Sequence, residues 1–225
     1  MRRIGFILFT VAVLLTLVKL GWWQMSRAQE KESLSNALKF RSEQMYYSLA
    51  SLPPDPRWYS LTLRGAFDHR RAVLLDNQLF RGQPGYHVLY PFETDNQWML
   101  VNLGWIAAPL YRDQIPVLPE HHGDLKVSGM IAPPSNLLEL APEQLGDSYP
   151  LRVQNLNIAL LAEKLALPLQ PWVLQIDAEN PVALEQTWIP VVVGPQKHYA
   201  YAMQWFLLAL AVSGLAVWWL KRSKV

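Results

Sequence analysis

The sequence predicts a membrane-anchored α+β protein: two transmembrane helices flanking an outer domain with a mostly antiparallel β-sheet or small barrel plus helices. Three observations carry that expectation. Two apolar segments of membrane-spanning length stand near the ends of the chain, the charges are distributed unevenly around them, and the stretch between them changes from a helical to an alternating pattern.

Residues 4–23 read IGFILFTVAVLLTLVKLGWW, with Lys19 as the only charge, and residues 199–220 read YAYAMQWFLLALAVSGLAVWWL, with none. About twenty residues at ~1.5 Å each cross a hydrocarbon core of ~30 Å. Lys19 lies one turn from the end of its segment, where its stem reaches the headgroups. Trp22 and Trp23 close the first span, and Trp218 and Trp219 close the second, as interfacial aromatics do. A cleaved signal peptide is the alternative for the first span, but it would end at a small-x-small site. This segment ends Lys-Leu-Gly-Trp-Trp-Gln, so an uncleaved anchor is expected.

The 225 residues are 51% hydrophobic and only 17% charged, below the ~25% of ordinary soluble domains. All 18 acids lie between Glu30 and Glu185, and fourteen of the 20 bases lie between Arg27 and Lys197, which leaves the middle at −4. The other bases are Arg2, Arg3, Lys19, Lys221, Arg222 and Lys224. The positive-inside rule therefore places the tails, 1–3 and 221–225, in the cytoplasm and residues 24–198 on the outer side. The start Met-Arg-Arg-Ile lacks a Ser/Arg-rich transit pattern, which favours a bacterial inner membrane and a periplasmic central domain. This layout argues against a nucleic-acid binder. The absence of Cys excludes disulfides, iron–sulfur ligation, thiol catalysis and thiolate copper sites.

Within the outer domain, residues 26–51 are helix formers without Gly or Pro and predict a helix leaving the membrane, ended by Pro53, Pro54 and Pro56. Strands are expected at 58–67, 72–76, 86–93, 97–105, 125–131, 151–154, 172–177 and 187–193. The third and fourth flank a short polar turn, as in a hairpin. A short helix is expected over 157–166, where Ile158, Leu161 and Leu165 share a face.

Catalytic motifs are missing: there is no G-x-S-x-G, H-E-x-x-H, P-loop or dinucleotide fingerprint. His69, His121 and His122 read as solvated loop residues, and His87 as a packed or hydrogen-bonded strand residue. Asp76-Asn77-Gln78 reads as a polar turn closing a strand. The residues offer no positive argument for an enzyme, nor for a metal-ion site in this domain.

His198 differs. It stands where the second span begins, with Tyr201, Ala202 and Trp205 at i+3, i+4 and i+7 on the same helix face. Trp22, Trp23 and Gln24 lie at the same depth by topology. A gap at Ala202 beside flat aromatics would admit a planar macrocycle, and imidazole is the common haem ligand. An ordinary interfacial belt with a snorkelled His is the simpler reading of the residues alone.

Four blocks give the chain a further aspect: Leu20-Gly-Trp-Trp-Gln24 with Arg27 and Lys31; Leu74-Leu-Asp-Asn-Gln78 followed by Gly85-Tyr-His-Val-Leu-Tyr-Pro-Phe92; Leu100-Val-Asn-Leu-Gly-Trp-Ile106; and His198-Tyr-Ala-Tyr-Ala-Met-Gln-Trp-Phe206. In this order, between two anchors, they resemble the Surfeit locus protein family of cytochrome c oxidase assembly factors. The resemblance implies a non-enzymatic factor of the inner membrane that binds haem a and helps place it in the oxidase catalytic subunit, with haem a synthase as a further partner. It maps the family's transmembrane His onto His198, with Tyr201, Trp205, Trp22, Trp23, Gln24 and Lys197 around the cofactor. Asp76, Asn77, Gln78, Tyr86 and Trp105 become candidates for contacting a partner. The alternative is a scaffold that binds no haem and stabilises oxidase subunits. Three positions depart from the family's pattern: Leu103 where an Arg is usual, Lys197 where Asn is frequent, and Gln204 where Thr is common. Lys197 suggests an ammonium for a haem propionate.

Overall fold

The computed structural model describes residues 2–134, 145–146, 148–188 and 194–222. Helix α1 (Arg2–Ser42) is followed by strands β1 (Met45–Tyr46), β2 (Ser60–Phe67), β3 (Val73–Phe80), β4 (Gln83–Thr94), β5 (Gln97–Ala107), β6 (Leu125–Ala132) and β7 (Leu151–Val153). Helix α2 (Ile158–Leu165), strand β8 (Leu169–Ile176) and helix α3 (Gln196–Arg222) complete the order. The described chain divides into a helical unit, residues 2–39 with 194–222, and a β unit, residues 40–188.

In the helical unit, α1 and α3 are both long and apolar enough to cross a membrane. Their apolar windows are only 11% buried, unlike the core helix of a soluble protein, so apolar side chains face outward around most of each helix. The two helices meet through small residues, which permits close approach where hydrocarbon gives no hydrophobic drive. A Cβ on Gly21 would strike the Phe206 ring, and Ala202 is wholly buried. Trp22 meets Phe206 edge-on at 6.3 Å, and Phe6 meets Trp219 at 4.2 Å. Hydroxyls within these segments are satisfied locally: Thr10 donates to the Phe6 carbonyl, Thr16 to Ala12 and Ser213 to Ala209.

The helix expected over 26–51 is continuous with the first apolar segment. One helix runs to Ser42 and ends nine residues before Ser51, ahead of the prolines. Pairing with β2 ends it: the Ser60 hydroxyl donates to the Ser42 carbonyl, the Ser60 N–H donates to Gln44, and Met45–Tyr46 lie parallel to Ser60–Leu61. Leu49–Ser51 form only a single 3₁₀ turn capped by Ser48.

The β unit is built around a ring. The strand order is β1-β2-β6-β8-β5-β4-β3-β7, and an additional β2–β4 pairing joins the two sides, so β2, β6, β8, β5 and β4 close on themselves. Closure depends on β4, which pairs with β3 over its first half and with the end of β2 at Phe92 and Glu93. Gly65 makes this approach possible, since a Cβ there would collide with the Glu93 carbonyl. The ladder is mostly antiparallel, with parallel pairs at β1–β2, β3–β7 and β5–β8.

Side chains alternate across this sheet as the pleat requires. Leu61, Val88, Tyr90, Val101, Val127 and Leu174 fill the interior. Val73, Leu75, Leu89, Leu100 and Val173 face outward, where the apolar side of α2 covers them through Ile158, Leu161 and Leu165. That helix falls where the sequence places it: Asn157 caps its first turn by accepting from the Leu160 N–H, and Ala166 ends it in the left-handed region at φ 53°.

Seven of the eight expected strands are present, most of them longer than expected. The eighth, 187–193, falls mostly outside the described residues; only Thr187 and Trp188 are described, and they belong to no strand. Glu185 instead makes a single bridge to Trp105. Strand β3 does not close at Asp76 but runs to Phe80 through a bulge, with Asn77 at φ 58°.

Leu161 sits at the centre of the α2 contact, so Leu161→Ala should lower the unfolding free energy of the β unit by about 2–5 kcal/mol in a denaturant titration.

Candidate functional site

The histidine of α3 is held by a glutamine of α1. His198 Nδ1 lies 2.8 Å from Gln24 Oε1. With the amide oxygen accepting, Nδ1 carries the proton and Nε2 keeps its lone pair, the arrangement in which a second residue orients an imidazole as a ligand. The next residue adds a second tie, as the Tyr199 hydroxyl donates to Glu32 Oε2 at 2.6 Å. His198 and Gln24 are half-buried, Trp205 is partly covered, and Tyr201, Trp22, Trp23 and Lys197 are exposed. The expected gap at Ala202 is closed: that residue is 0% exposed, so the helix pairing leaves no slot there for a macrocycle. The residues present fit a single imidazole ligand, oriented by Gln24, with aromatics and one ammonium nearby in sequence.

In the β unit, the motif residues build structure. His87, Asn102 and Gln175 occupy neighbouring outward positions on β4, β5 and β8 and satisfy one another. Asn102 Nδ2 donates to Gln175 Oε1 at 2.7 Å and to His87 Nδ1 at 3.2 Å, while Asn102 Oδ1 accepts from the Gly104 N–H at 3.0 Å. His87 Nε2 then donates to the Thr187 hydroxyl at 2.6 Å. Burial pushes the His87 imidazolium down to about 4, and a proton added at Nδ1 would face the Asn102 amide N–H. His87 is thus a neutral, hydrogen-bonded strand residue.

Gly104, at φ 117°, turns the strand so that residues 184–186 can lie against it. Leu184 N–H donates to the Leu103 carbonyl and Trp105 N–H to the Glu185 carbonyl, both at 2.7 Å. A Cβ on Gly104 would meet Gln186 and the Glu185 backbone. Trp105 also donates from Nε1 to the Gln78 carbonyl at 2.9 Å, which joins two of the sequence blocks directly.

The partner-contact candidates divide. Asn77 is exposed on the bulge, and Trp105 and Gln78 are partly covered. Asp76 is largely covered and pairs with Arg112 at 3.1 Å. Tyr86 is 2% exposed in the barrel core beneath the Arg152 guanidinium, which removes it from any contact surface. Leu103, where the resemblance expects Arg, is wholly buried in the interior.

His69 is not the solvated residue expected. Its Nε2 meets both the carbonyl and the N–H of His121, at 2.8 and 3.0 Å, and its ring stands edge-on to Tyr90. Together with the Tyr90 hydroxyl donating to Pro119, it clasps the 119–122 loop to the barrel. Burial, with Glu120 beside it, pushes the Tyr90 hydroxyl up to about 12. Among the described residues no group of three or more His, Asp or Glu is arranged to hold a metal ion.

Comparison with known proteins sets these residues in a family. A family model described as the SURF1 family matches residues 11–210, which takes in most of both long helices and the whole β unit. The chain belongs to the SURF1 family. It is 21% identical to a SURF1-like protein of Rickettsia prowazekii (strain Madrid E), over 92% of this chain and 86% of that one. It is 26% identical to a SURF1-like protein of Rickettsia felis over 94 residues, 40% of this chain and less than half, 42%, of that relative's length. The SURF1 family is one of assembly factors rather than catalysts and is known in oxidase assembly. In this SURF1-family chain, sequence reasoning missed Gln175 and Thr187, the outer partners of His87 and Asn102. Only strand register could have revealed them.

Two outcomes follow. The unfolded chain binds a proton at His87 near pH 6.5 and the folded chain only near 4, so stability should fall as pH drops through that window, by about 3 kcal/mol in all, and His87→Gln should flatten that slope in unfolding scans. Gly104→Ala should cost about 1–3 kcal/mol in the same assay, because φ 117° is strained for a residue with a Cβ.

Proposed function

We propose that this chain is an inner-membrane assembly factor for haem–copper cytochrome c oxidase that holds haem a at the outer membrane interface and assists its placement in the catalytic subunit. The observation that carries this reading is the 2.8 Å contact between His198 Nδ1 and Gln24 Oε1, which leaves Nε2 as the ligating nitrogen of the neutral imidazole. Haem, when bound, would supply an iron that an imidazole can ligate. His198 would hold it, Tyr201, Trp205, Trp22 and Trp23 would flank it, and Lys197 would pair with a propionate. No enclosed pocket is needed, and exposed aromatic flanks suit a cofactor that must leave again.

The same reading gives the protein two spans and cytoplasmic termini, supported by the bases at both ends of the chain and the acidic middle. The β unit is then periplasmic, with the oxidase catalytic subunit and haem a synthase as its partners. A scaffold without haem is the second reading. It is favoured by large apolar side chains left open on the β unit: Leu79, Leu110 and Val117 are 74%, 88% and 91% exposed.

Co-expression with haem a synthesis, purification and a visible spectrum separate the two. Haem should accompany the wild type, be lost from His198→Ala, and be bound roughly 10–100-fold more weakly by Gln24→Ala, the usual effect of removing a residue that orients a ligand. Equal haem content in wild type and His198→Ala overturns the ligand assignment. A colourless protein that still co-purifies with oxidase subunits establishes the scaffold instead.

A further inference from the structure

On the β unit, a cleft of about 720 Å³ opens beside the 119–122 loop, which lends it Glu120 and His122. The loop is tied to the barrel by the Tyr90 hydroxyl, on the Pro119 carbonyl at 2.8 Å, and by His69 Nε2, against the His121 backbone at 2.8 and 3.0 Å. The Tyr90 hydroxyl, pushed up to about 12, keeps its proton throughout the range in which imidazoles titrate. The His69 tie is different. Its other ring nitrogen, Nδ1, is buried and has no hydrogen-bond partner. Whichever nitrogen carries the first proton, a second one leaves an N–H at Nδ1 buried without an acceptor.

The charged groups around that ring are already matched. Asp68 accepts from the Arg70 N–H at 3.0 Å and pairs with the Arg71 guanidinium at 3.4 Å, and Glu120 faces His122 at 3.3 Å. The side chains of Arg70 and Glu93 line the same cleft with opposite signs. Two more imidazoles stand close. His122 is edge-on to His69 with ring centroids 5.3 Å apart, and burial, followed by His69 and His122, pushes the His121 imidazolium down. Charging adjacent rings at such spacings sets like charges against one another. We propose that the 119–122 loop is a proton-released strap on this cleft, closed while His69 is neutral and freed when His69 and the imidazoles beside it take up protons. Because the closed form binds fewer protons than the open one, closure is complete above the ordinary imidazole value near 6.5 and weakens as pH falls below it. The strap depends neither on haem nor on the two-span reading.

Hydrogen exchange on the full chain in mild detergent tests this, read at the His121 N–H by fragmentation mass spectrometry and expressed as a protection factor. Between pH 8 and pH 5 that factor should fall by roughly tenfold or more, the effect of one buried donor left without an acceptor, while the amides of β4 and β5 keep theirs. His69→Gln should abolish the pH step. His122→Ala, at an exposed position, should reduce it and leave the barrel folded. Protection of β4 and β5 confirms the fold of each variant. Equal protection of His121 at the two pH values overturns the strap, as does a step unchanged in both variants. Loss of protection at His121 only in company with β4 and β5 is unfolding of the barrel and overturns it as well.

Discussion

Strands β4 and β5 are covered on both faces, and that double burial governs the rest of the β unit. One face looks into the ring and the other lies under α2, with Thr187 bonded to His87 on that side. A polar side chain on either strand must therefore find a partner within the protein or pay the cost of desolvation. His87 and Asn102 do so with Gln175 on β8 and Thr187 on the returning segment, which ties four separate stretches into one hydrogen-bonded row. The barrel and the chain that leaves it are thus joined by polar contacts whose members have no alternative partner in water.

The same constraint explains which features were legible. Strands with both faces buried read as long apolar runs, so β4 and β5 stood out and only their ends were misjudged. Helix α2 was legible to within one residue at each end because its stop and start are local: an Asn cap, three apolar residues on one face, and Ala166 after the last turn. The end of α1 was not local. Residues 43–51 favour a helix by composition, but the Ser60 hydroxyl and the pairing of Met45–Tyr46 with β2 hold the chain extended there. Nor could the bulge at Asn77 be foreseen, since its register is set by β4.

At the candidate site, the sequence located His198 and the residues around it but mistook the role of Ala202. A small residue between aromatics suggested an opening, whereas in the helix pair it serves close packing, like Gly21. The contact that orients the imidazole joins residues 174 apart and has no signature in either segment. Leu103 shows the opposite case. Its place in the barrel interior makes an apolar side chain the simple solution, and an arginine there would need its own buried counter-charge.

His198 and Tyr199 are neighbours on α3, yet they reach Gln24 and Glu32, eight residues apart on α1. At ~1.5 Å per residue those anchor points are about 12 Å from one another along the helix axis. Two pins so separated locate a plate where one would let it swivel. A slip of one residue between the helices, or a turn of α3 about its own axis, would disturb both bonds together. The direction in which the imidazole faces is therefore a reading of helix alignment, carried by two adjacent side chains acting as a gauge.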